Sequence, residues 1–563
     1  MRLFVLDYGA GNVFSLANTL TKLGHSFEWI QSPDDFDHAT HLIFPGVGAF
    51  QSAINNLHTK GLLEPLLAYI RSGRPYFGIC IGMQVLFQSS EENPDVKGLG
   101  IIPHAIVNFS SENKSVPHIG WNRVQMLDID DVPAGVKPDA FYYFVHSFMA
   151  PYAASSGVAE WTHTTCQYGS EVFVSSVRRG NVYGCQFHPE KSGHAGFDLI
   201  EAWLATPLDA SAPLLRRIRD VPAQPKDGLT KRIIACLDVR ANDDGDLVVT
   251  KGDQYDVREK VEPAATDGAA LKANIGGAVR NLGKPVDLCA EYFNAGADEI
   301  CLLNITSFRN SPLQDQPMIA VVRAAAEQVF VPLTIGGGIK DTVDPDGTPR
   351  PALEVAGAYF RAGADKVSIG SDAVVIVEQI LNGTLSPTPV DRPETAIESI
   401  ARAYGRQAVV VSIDPKRAFI DNADSYDGPY KDEIIRGVGT DAGKAWWYQC
   451  TIRGGREARP VSVVQLAKGV EQLGAGEILV NSIDRDGSGL GFDIDLIRLV
   501  RQAVKIPVVA SSGAGNPQHF VDVFEQTGVE AALAAGIFHR KEVKISDVKQ
   551  AIKSHGLTSR IVP

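Results

Sequence analysis

Eight short β-branched runs, each followed by a helical stretch, dominate the chain from residue 230 onward. Strands of this kind are buried on both faces and pair in parallel with their neighbours. Eight such βα units close naturally into a (β/α)8 barrel. The sequence therefore predicts an α/β fold with a barrel over 230–563. Its expected strands are 233–239, 299–305, 331–338, 366–370, 408–414, 477–483, 508–513 and 531–536.

The second half of this region repeats the first. ACLDV resembles VSIDP, which aligns Asp238 with Asp414, and GADEICLLNITS resembles GAGEILVNSIDR, which aligns Glu299 with Glu477. The other aligned pairs are Gly338 with Gly513 and Gly370 with Ala535. Because unrelated strands would not keep a near-constant offset, the pattern indicates a barrel built from two duplicated half-barrels.

The first part of the chain has a different pattern of apolar runs. Over residues 1–205, apolar runs such as RLFVLDYG and PYFGICIG alternate with helical patterns, and later runs such as EVFVSSVRR favour antiparallel strands. Residues 206–229 contain four prolines and no strand pattern, which is typical of a stiff linker. We therefore expect a mixed α/β domain at 1–205, a Pro-rich linker at 206–229 and the barrel at 230–563.

Composition excludes several classes of protein. The chain is 44% hydrophobic and 21% charged, which is ordinary for a globular protein. Its net charge of −13 disfavours general binding to nucleic acid or anionic membranes. Seven cysteines without metal-ligand spacing predict reduced, buried thiols in a cytoplasmic protein. Since no dinucleotide fingerprint follows the first strand either, we expect neither a metal nor another cofactor.

A candidate nucleophile lies in FGICIGMQ, where Cys80 occupies the turn from a strand into a helix. A side chain at such an elbow projects from the fold, and the adjacent helix N-terminus lowers the pKa of a thiol. In QFHPE, His188 and Glu190 lie two apart on an extended segment and face the same side. This spacing suits a carboxylate that orients an imidazole base for the thiol. The alternative is a buried structural cysteine in a glycine-flanked turn.

Together, PGVG (45–48), GICIGMQ and QFHPEKSG resemble the class I glutamine amidotransferases over nearly all of residues 1–205. The resemblance implies that Cys80 attacks the side-chain amide of glutamine, forms a glutamyl thioester and releases ammonia. It makes His188 the base and acid, and Glu190 the group that orients it. It further implies an oxyanion hole from Gly46, Val47, Gly48 and Ile81, and contacts to glutamine from Gln84, Glu92 and Ser147.

Candidate catalytic and phosphate-binding residues lie at the C-terminal rim of the expected barrel. Asp238 and Asp414 end strands one and five, on opposite sides of the ring, where facing carboxylates suit acid–base work. The alternative role for each is to cap the following turn. The glycine turns GGGI (336–339) and SSGAG (511–515) are typical of backbone phosphate sites. Two such turns in register predict an elongated substrate with a phosphate at each end.

Four charged residues begin strands at the opposite end of the barrel. They are Arg232, Glu299, Lys366 and Glu477, and we call them the basal ring. Such a ring would close the bottom of the barrel with ion pairs. It is either a stabilising plug, which is usual for this face, or a gate between a docked partner and the barrel interior.

KRIIACLDV, VVTKG, GADKVSIGSDAV and HGLTSRI resemble the cyclase of the imidazole glycerol phosphate synthases, and with the amidotransferase in front the chain resembles their fused eukaryotic form. The resemblance implies that ammonia cleaves and cyclises a ribulosyl-formimino aminoimidazole carboxamide bis-phosphate, with Asp238 as general acid and Asp414 as general base. It implies that Lys251 and Asp486 support substrate binding, that Gly487, Gly513, Ala535 and Gly536 bind one phosphate, and that Gly338, Gly370 and Ser371 bind the other. Bacterial relatives often have Asn-Thr at 370–371 and Ser at 536, so side-chain phosphate contacts differ here.

Free ammonia is diluted and protonated at neutral pH, so a sealed path favours its use. We expect the amidotransferase to dock on the basal ring and ammonia to travel along the barrel axis, which requires a small or polar interior lining. We expect a monomer that acts on small molecules and binds neither nucleic acid nor membrane. One alternative is an amidotransferase fused to a related histidine-pathway isomerase, and another is a non-enzymatic glutamine or phosphate sensor.

Overall fold

The computed structural model describes residues 1–562 except 10, 47, 128–134, 207–217, 242–246, 251–281, 306–316 and 345. The strands of the first part are β1 (Leu3–Leu6), β2 (Glu28–Ile30), β3 (His41–Phe44), β4 (Tyr76–Ile79), β5 (Phe87–Ser90), β6 (Ile102–Asn108), β7 (His118–Arg123), β8 (Gln125–Met126), β9 (Phe141–His146), β10 (Phe148–Met149), β11 (Thr162–Tyr168), β12 (Glu171–Arg179) and β13 (Val182–Cys185). Its helices are α1 (Phe14–Lys22), α2 (Asp35–His38), α3 (Phe50–Thr59), α4 (Leu63–Arg71), α5 (Ile81–Gln84) and α6 (Gly193–Leu204).

A mixed sheet organises this part, with the strand order β2-β1-β3-β4-β13-β12-β11-β8. The strands from β2 to β13 run parallel, and β12, β11 and β8 continue the sheet antiparallel. Strands β1, β3 and β4 are buried at every position, since helices cover both faces and leave no polar side to the sheet. The predicted mixed α/β fold with late antiparallel strands is confirmed.

The second part begins with β14 (Arg232–Ala241) and β15 (Leu247–Thr250). Its further strands are β16 (Glu299–Asn304), β17 (Leu333–Gly336), β18 (Thr342–Val343), β19 (Pro349–Arg350), β20 (Lys366–Ile369), β21 (Val409–Ile413), β22 (Pro415–Ile420), β23 (Ile435–Arg436), β24 (Ala445–Ile452), β25 (Glu457–Ser462), β26 (Glu477–Asn481), β27 (Val508–Ser511) and β28 (Ala531–Ala534). Its helices are α7 (Pro285–Asn294), α8 (Pro317–Ala326), α9 (Ala352–Ala362), α10 (Ser371–Leu381), α11 (Ala396–Tyr404), α12 (Val463–Gln472), α13 (Ile494–Ala503), α14 (Pro517–Thr527), α15 (Gly536–His539) and α16 (Ile545–Ser554).

Eight of these described strands form the predicted closed parallel barrel, in the order β14-β16-β17-β20-β21-β26-β27-β28. Pairing of β28 with β14 closes the ring. Helices α11 and α12 start with complete capping boxes, in which Thr395 pairs with Glu398 and Ser462 with Gln465. Within the described residues, no helix is both long and apolar enough to cross a membrane.

Long segments follow the first and the fifth barrel strand, over 240–285 and 415–460. Most of the first, over 240–285, falls outside the described residues, although β15 extends β14 as an antiparallel partner. The second folds into an antiparallel sheet in which β24 pairs with β22, β23 and β25. The fifth strand therefore continues into an ordered β structure above the mouth of the barrel.

The first domain docks on the N-terminal end of the barrel, as the sequence predicts. Its contacts reach barrel residues that lie directly before strand starts. Examples are Trp121 Nε1 donating to Asp298 O (3.0 Å), Lys191 Nζ paired with Asp365 (2.7 Å) and Ser115 Oγ donating to Glu530 (2.6 Å). Parallel strands begin at one common end of a barrel, so these contacts place the domain on the face opposite the rim.

Candidate active sites

Cys80 joins β4 to α5 in a strained conformation. Its φ of 46° and ψ of −102° are unusual for a residue with a side chain, and such strain is often kept at functional sites. The turn after β3 packs directly against this elbow, since a Cβ built on Gly46 would lie 1.8 Å from Ile79 O. Only glycine permits this approach. The predicted nucleophile and the first residue of the predicted oxyanion hole are therefore in contact.

His188 and Glu190 form a short, buried pair, with 2.7 Å between His188 Nδ1 and Glu190 Oε1. The Cys80 thiol is a close neighbour of the same imidazole. Burial disfavours the imidazolium, but the Glu190 carboxylate and the Cys80 sulfur outweigh it and hold the pKa of His188 well above its usual value. The three predicted residues thus meet in the order thiol, imidazole, carboxylate, and this arrangement favours the charged form of the imidazole.

Two of the three remaining predicted oxyanion residues, Ile81 and Gly48, are described by the structure. Ile81 opens helix α5, and the first N–H groups of a helix have no partner within it. Gly48 adopts a φ of 141°, which a larger residue would rarely take. Val47 lies outside the described residues. The oxyanion hole therefore stays a prediction, and the backbone conformation at Gly46 and Gly48 supports it.

The predicted glutamine-binding residues take part in protein contacts. Gln84 Nε2 donates to Phe148 O (3.0 Å) and to Gln186 Oε1 (2.9 Å), and the Glu92 carboxylate accepts from Phe50 N (2.9 Å). Ser147 Oγ is buried and, in the described part of the chain, has no hydrogen-bond partner. Gln84 and Glu92 therefore hold loops near the elbow, and their contact with glutamine remains a prediction.

Sequence reasoning missed Gln186, which begins the QFHPE segment. Its Nε2 donates to Cys80 Sγ at 3.3 Å while its Oε1 accepts from Gln84. An amide donor at this distance orients the sulfur. The signal was available, because Gln186 lies two residues before His188 on the same extended segment.

At the rim, Asp238 and Asp414 occupy opposite sides of the barrel, four strands apart in the ring of eight. Asp238 lies near the end of β14, in register with Leu303 of β16. Asp414 accepts from Asn481 Nδ2 (2.9 Å), and burial raises the pKa of its carboxyl despite this hydrogen bond, with Asp486 contributing. A carboxylate of raised pKa is a better proton acceptor near neutral pH.

A cleft lies beside the last three strands, and we call it the Gly513 cleft. The four residues predicted to bind this phosphate line it, namely Gly487, Gly513, Ala535 and Gly536, and so does Asp486, which was predicted to support substrate binding. Its wall also contains Ser511 and Ser512 of the predicted SSGAG turn, together with Gly489 and Arg540, which sequence reasoning missed. Two loops interlock here, because Gly491 N donates to Gly513 O (2.8 Å) and a Cβ on Gly513 would lie 2.3 Å from Gly491 O.

Two of the three residues predicted to bind the other phosphate, Gly370 and Ser371, lie at the junction of β20 and α10. Gly370 directly precedes this helix of eleven residues, and Ser371 is its first residue. Ser371 Oγ accepts from Arg453 N (3.0 Å), so the hairpin between β24 and β25 touches the turn. Gly338 has a φ of 77°. Lys251 lies outside the described residues, and its substrate contact stays a prediction.

The basal ring forms as a closed set of ion pairs in which every side chain is at most 2% exposed. Arg232 Nη1 binds Glu299 Oε2 (2.7 Å), and its Nη2 binds Glu477. Lys366 Nζ bridges Glu299 Oε1 (2.7 Å) and Glu477 Oε2 (2.6 Å). Each cation thus contacts both carboxylates, and the ring seals the barrel floor electrostatically.

Tyr143 connects the thiol site to this ring, which sequence reasoning missed. Its carbonyl accepts from His188 N (2.9 Å). Its phenol is buried beside Glu299 and Arg232, and burial first, then the Glu299 charge, raises the pKa of Tyr143. Within the described residues, the hydroxyl has no hydrogen-bond partner. Tyr143 therefore lies between the backbone of His188 and the charged residues at the barrel floor.

The barrel interior above the ring mixes small polar and apolar side chains. Thr334 Oγ1 donates to Glu299 Oε1 (2.6 Å), and Ser412 Oγ accepts from Asn481. Ser368 Oγ is buried and unpaired among the described residues. Apolar side chains, among them Ile234, Cys236, Cys301, Val410 and Leu479, fill other inward positions. The expected small or polar lining is thus present on one side of the interior.

The fold and the two sites together define a class I glutamine amidotransferase domain joined to a (β/α)8 barrel. Residues 4–202 match the family model described as glutamine amidotransferase class-I, and residues 232–544 match the one described as histidine biosynthesis protein. Relatives align over 99% of the chain. The chain belongs to the imidazole glycerol phosphate synthase hisHF family.

Three relatives carry that name. The protein of Emericella nidulans is 51% identical, with 98% of its own length covered. The protein of Schizosaccharomyces pombe is 48% identical, with 99% covered. The protein of Arabidopsis thaliana, whose name adds "chloroplastic", is 50% identical, with 89% covered.

Proposed function

We propose that this protein hydrolyses glutamine in its first domain and uses the ammonia in its barrel to make imidazole glycerol phosphate and AICAR from the bis-phosphate substrate, in histidine biosynthesis. One observation carries the proposal. The Cys80 site lies against the sealed floor of a barrel whose other end carries the Asp238 and Asp414 carboxylates. The two reactions thus face opposite ends of one enclosed space.

In the first domain, the Cys80 sulfur attacks the amide carbon of glutamine, and a C–S bond replaces the C–N bond. His188 gives its proton to the departing nitrogen, which leaves as ammonia, and then accepts a proton from the water that hydrolyses the thioester. Glu190 keeps the imidazole in place and stabilises its charged form. The products are glutamate and ammonia, and the enzyme regains its thiol.

In the barrel, two glycine turns hold the two phosphates so that the reacting part of the substrate lies between the rim carboxylates. Asp238 acts as the general acid and Asp414 as the general base. The raised pKa of Asp414 supports its role, because it can accept a proton near neutral pH. Asn481 positions this carboxylate through its 2.9 Å hydrogen bond.

Ammonia passes from Cys80 past Tyr143, through the basal ring and along the polar side of the interior. The ring is closed in this conformation, so passage needs Lys366 or one of its partners to move. A neutral ammonia molecule crosses such a constriction more readily than ammonium, because a buried cation carries a large desolvation cost. This ring is therefore proposed as a gate.

The two domains act as each other's partner, and we propose that the functional unit is a monomer. All seven cysteines are buried and none forms a disulfide, which supports a reducing compartment such as the cytoplasm. The name of the Arabidopsis relative assigns that protein to the chloroplast.

The test compares two nitrogen sources with purified protein and the bis-phosphate. Glutamine and ammonium should each give imidazole glycerol phosphate, and Cys80→Ala should abolish only the reaction with glutamine. Isomerised substrate without cyclised product would support the histidine-pathway isomerase instead. Binding without turnover from either nitrogen source would support a sensor.

A further inference from the structure

The side chain of Arg540 lies against the backbone of Gly536 in the Gly513 cleft. A Cβ built on Gly536 would lie 2.7 Å from Arg540 Nη1 and 3.4 Å from its Cζ. Both residues line the cleft. The guanidinium therefore occupies the space that any side chain at position 536 would need, and the two residues depend on each other.

Glu542 holds one edge of this guanidinium. Arg540 Nε donates to Glu542 Oε1 (2.7 Å), and its Nη2 donates to Oε2 (3.0 Å). This fork fixes the plane of the group and turns Nη1 toward Gly536. Since the side chain is 49% exposed, the fork limits its freedom more than packing does.

The charge of the cleft gives Arg540 a role. Among the described residues that line it, Asp486 is the anion and Arg540 the only cation, and the others are glycine, serine, alanine, leucine and isoleucine. A phosphate held there by backbone N–H groups would be repelled by the Asp486 carboxylate in the same wall. A guanidinium offsets that repulsion and donates charge-assisted hydrogen bonds to phosphate oxygens.

We infer that Arg540 is a phosphate-binding residue of the Gly513 cleft and sets its affinity for one end of the bis-phosphate. The inference rests on the proposed function. Glu542 orients the guanidinium before substrate arrives, and Gly536 leaves room for it. Arg540 contributes to binding the substrate phosphate, which is remote from the bonds that change, so it acts on KM more than on kcat.

The experiment measures cyclisation with saturating ammonium, so that the rate does not depend on glutamine hydrolysis in the first domain. Arg540→Gln should raise KM for the bis-phosphate about tenfold with a much smaller change in kcat, and Arg540→Lys should fall between it and the parent protein. Arg498→Gln is the matched control, because Arg498 is also a half-exposed arginine paired with a carboxylate, Asp495. Its KM should match the parent value.

Product inhibition identifies which end of the bis-phosphate Arg540 binds. Arg540→Gln should weaken inhibition by one of the two products, imidazole glycerol phosphate or AICAR, and leave the other unchanged. Gly536→Ala should also raise KM, because the new methyl group displaces the guanidinium without removing its charge.

An unchanged KM in both Arg540→Gln and Gly536→Ala would overturn the inference. Equal weakening of inhibition by both products in Arg540→Gln would also overturn it. Loss of folding in Arg540→Gln is detected by thermal unfolding, and Arg540→Lys and Gly536→Ala then decide the question. Absence of cyclisation in the parent protein would instead refute the proposed function.

Discussion

Replacing Lys366 by methionine removes a buried cation that bridges two carboxylates. Lys366 Nζ lies 2.7 Å from Glu299 and 2.6 Å from Glu477, and all three side chains are at most 2% exposed. Leaving a buried charge without its partner costs about 3–5 kcal/mol. Arg232 still pairs with both carboxylates, so we expect a loss near the lower end, about 3 kcal/mol.

The pH dependence of this loss follows from Glu477. Burial raises the pKa of its carboxyl, but the Arg232 and Lys366 charges outweigh burial and hold it below the usual value. A depressed carboxyl pKa stabilises the fold above the unfolded pKa, and this stability is lost as the pH falls through the folded pKa. Without Lys366 the carboxyl protonates more readily. The stability gap between Lys366→Met and the parent protein should therefore be largest near neutral pH and shrink in acid.

The assay follows glutamate and imidazole glycerol phosphate in the same reaction. The parent protein should give the two in a ratio near one, whereas Lys366→Met should give excess glutamate and recover cyclisation when ammonium is added. Arg402→Met serves as control, since Arg402 forms an exposed pair with Glu394 (2.8 Å). A ratio near one in Lys366→Met would refute the gate and leave the basal ring as a stabilising plug.

Three further predictions concern the two sites. Glu190→Gln should shift the alkaline limb of the glutaminase pH profile to lower pH, because the imidazolium loses the carboxylate that raises the pKa of His188; an unmoved limb would contradict this. Gly46→Ala should reduce glutamine-dependent turnover at least a hundredfold, since its Cβ would collide with Ile79 O, while ammonium-dependent turnover measured alongside stays near the parent rate. Asp414→Asn should lower kcat with ammonium by about a hundredfold or more while leaving KM within a few-fold, and full activity would exclude it as the general base.

Much of this molecule follows from local patterns in its sequence. Each barrel strand begins or ends within a few residues of its predicted position, because buried parallel strands are continuous apolar runs. The basal ring follows from four charged residues at strand starts, of which the duplication relates Glu299 to Glu477. The contact of Cys80, His188 and Glu190 follows from two short motifs whose strands, β4 and β13, turn out to be neighbours.

Other features depend on contacts between distant segments, which a single sequence does not reveal. The charges of the basal ring act on the Tyr143 phenol only because two separate domains dock there. Arg540 faces the Gly513 cleft because Glu542 turns its guanidinium, although its position in the sequence suggests an ordinary surface arginine. Gln84 bears a polar side chain near the nucleophile, but its amide already bonds to Phe148 and Gln186.

The central claim is that ammonia moves inside the protein from Cys80 to the barrel rim. It is tested most directly by supplying glutamine whose amide carries the heavy nitrogen isotope together with an excess of unlabelled ammonium, below the pH at which free ammonia predominates, and measuring the isotope in imidazole glycerol phosphate. The account predicts that the product keeps nearly all of the amide label in the parent protein and loses much of it in Lys366→Met. Equal dilution of the label in both proteins, in proportion to the ammonium added, would contradict an internal path.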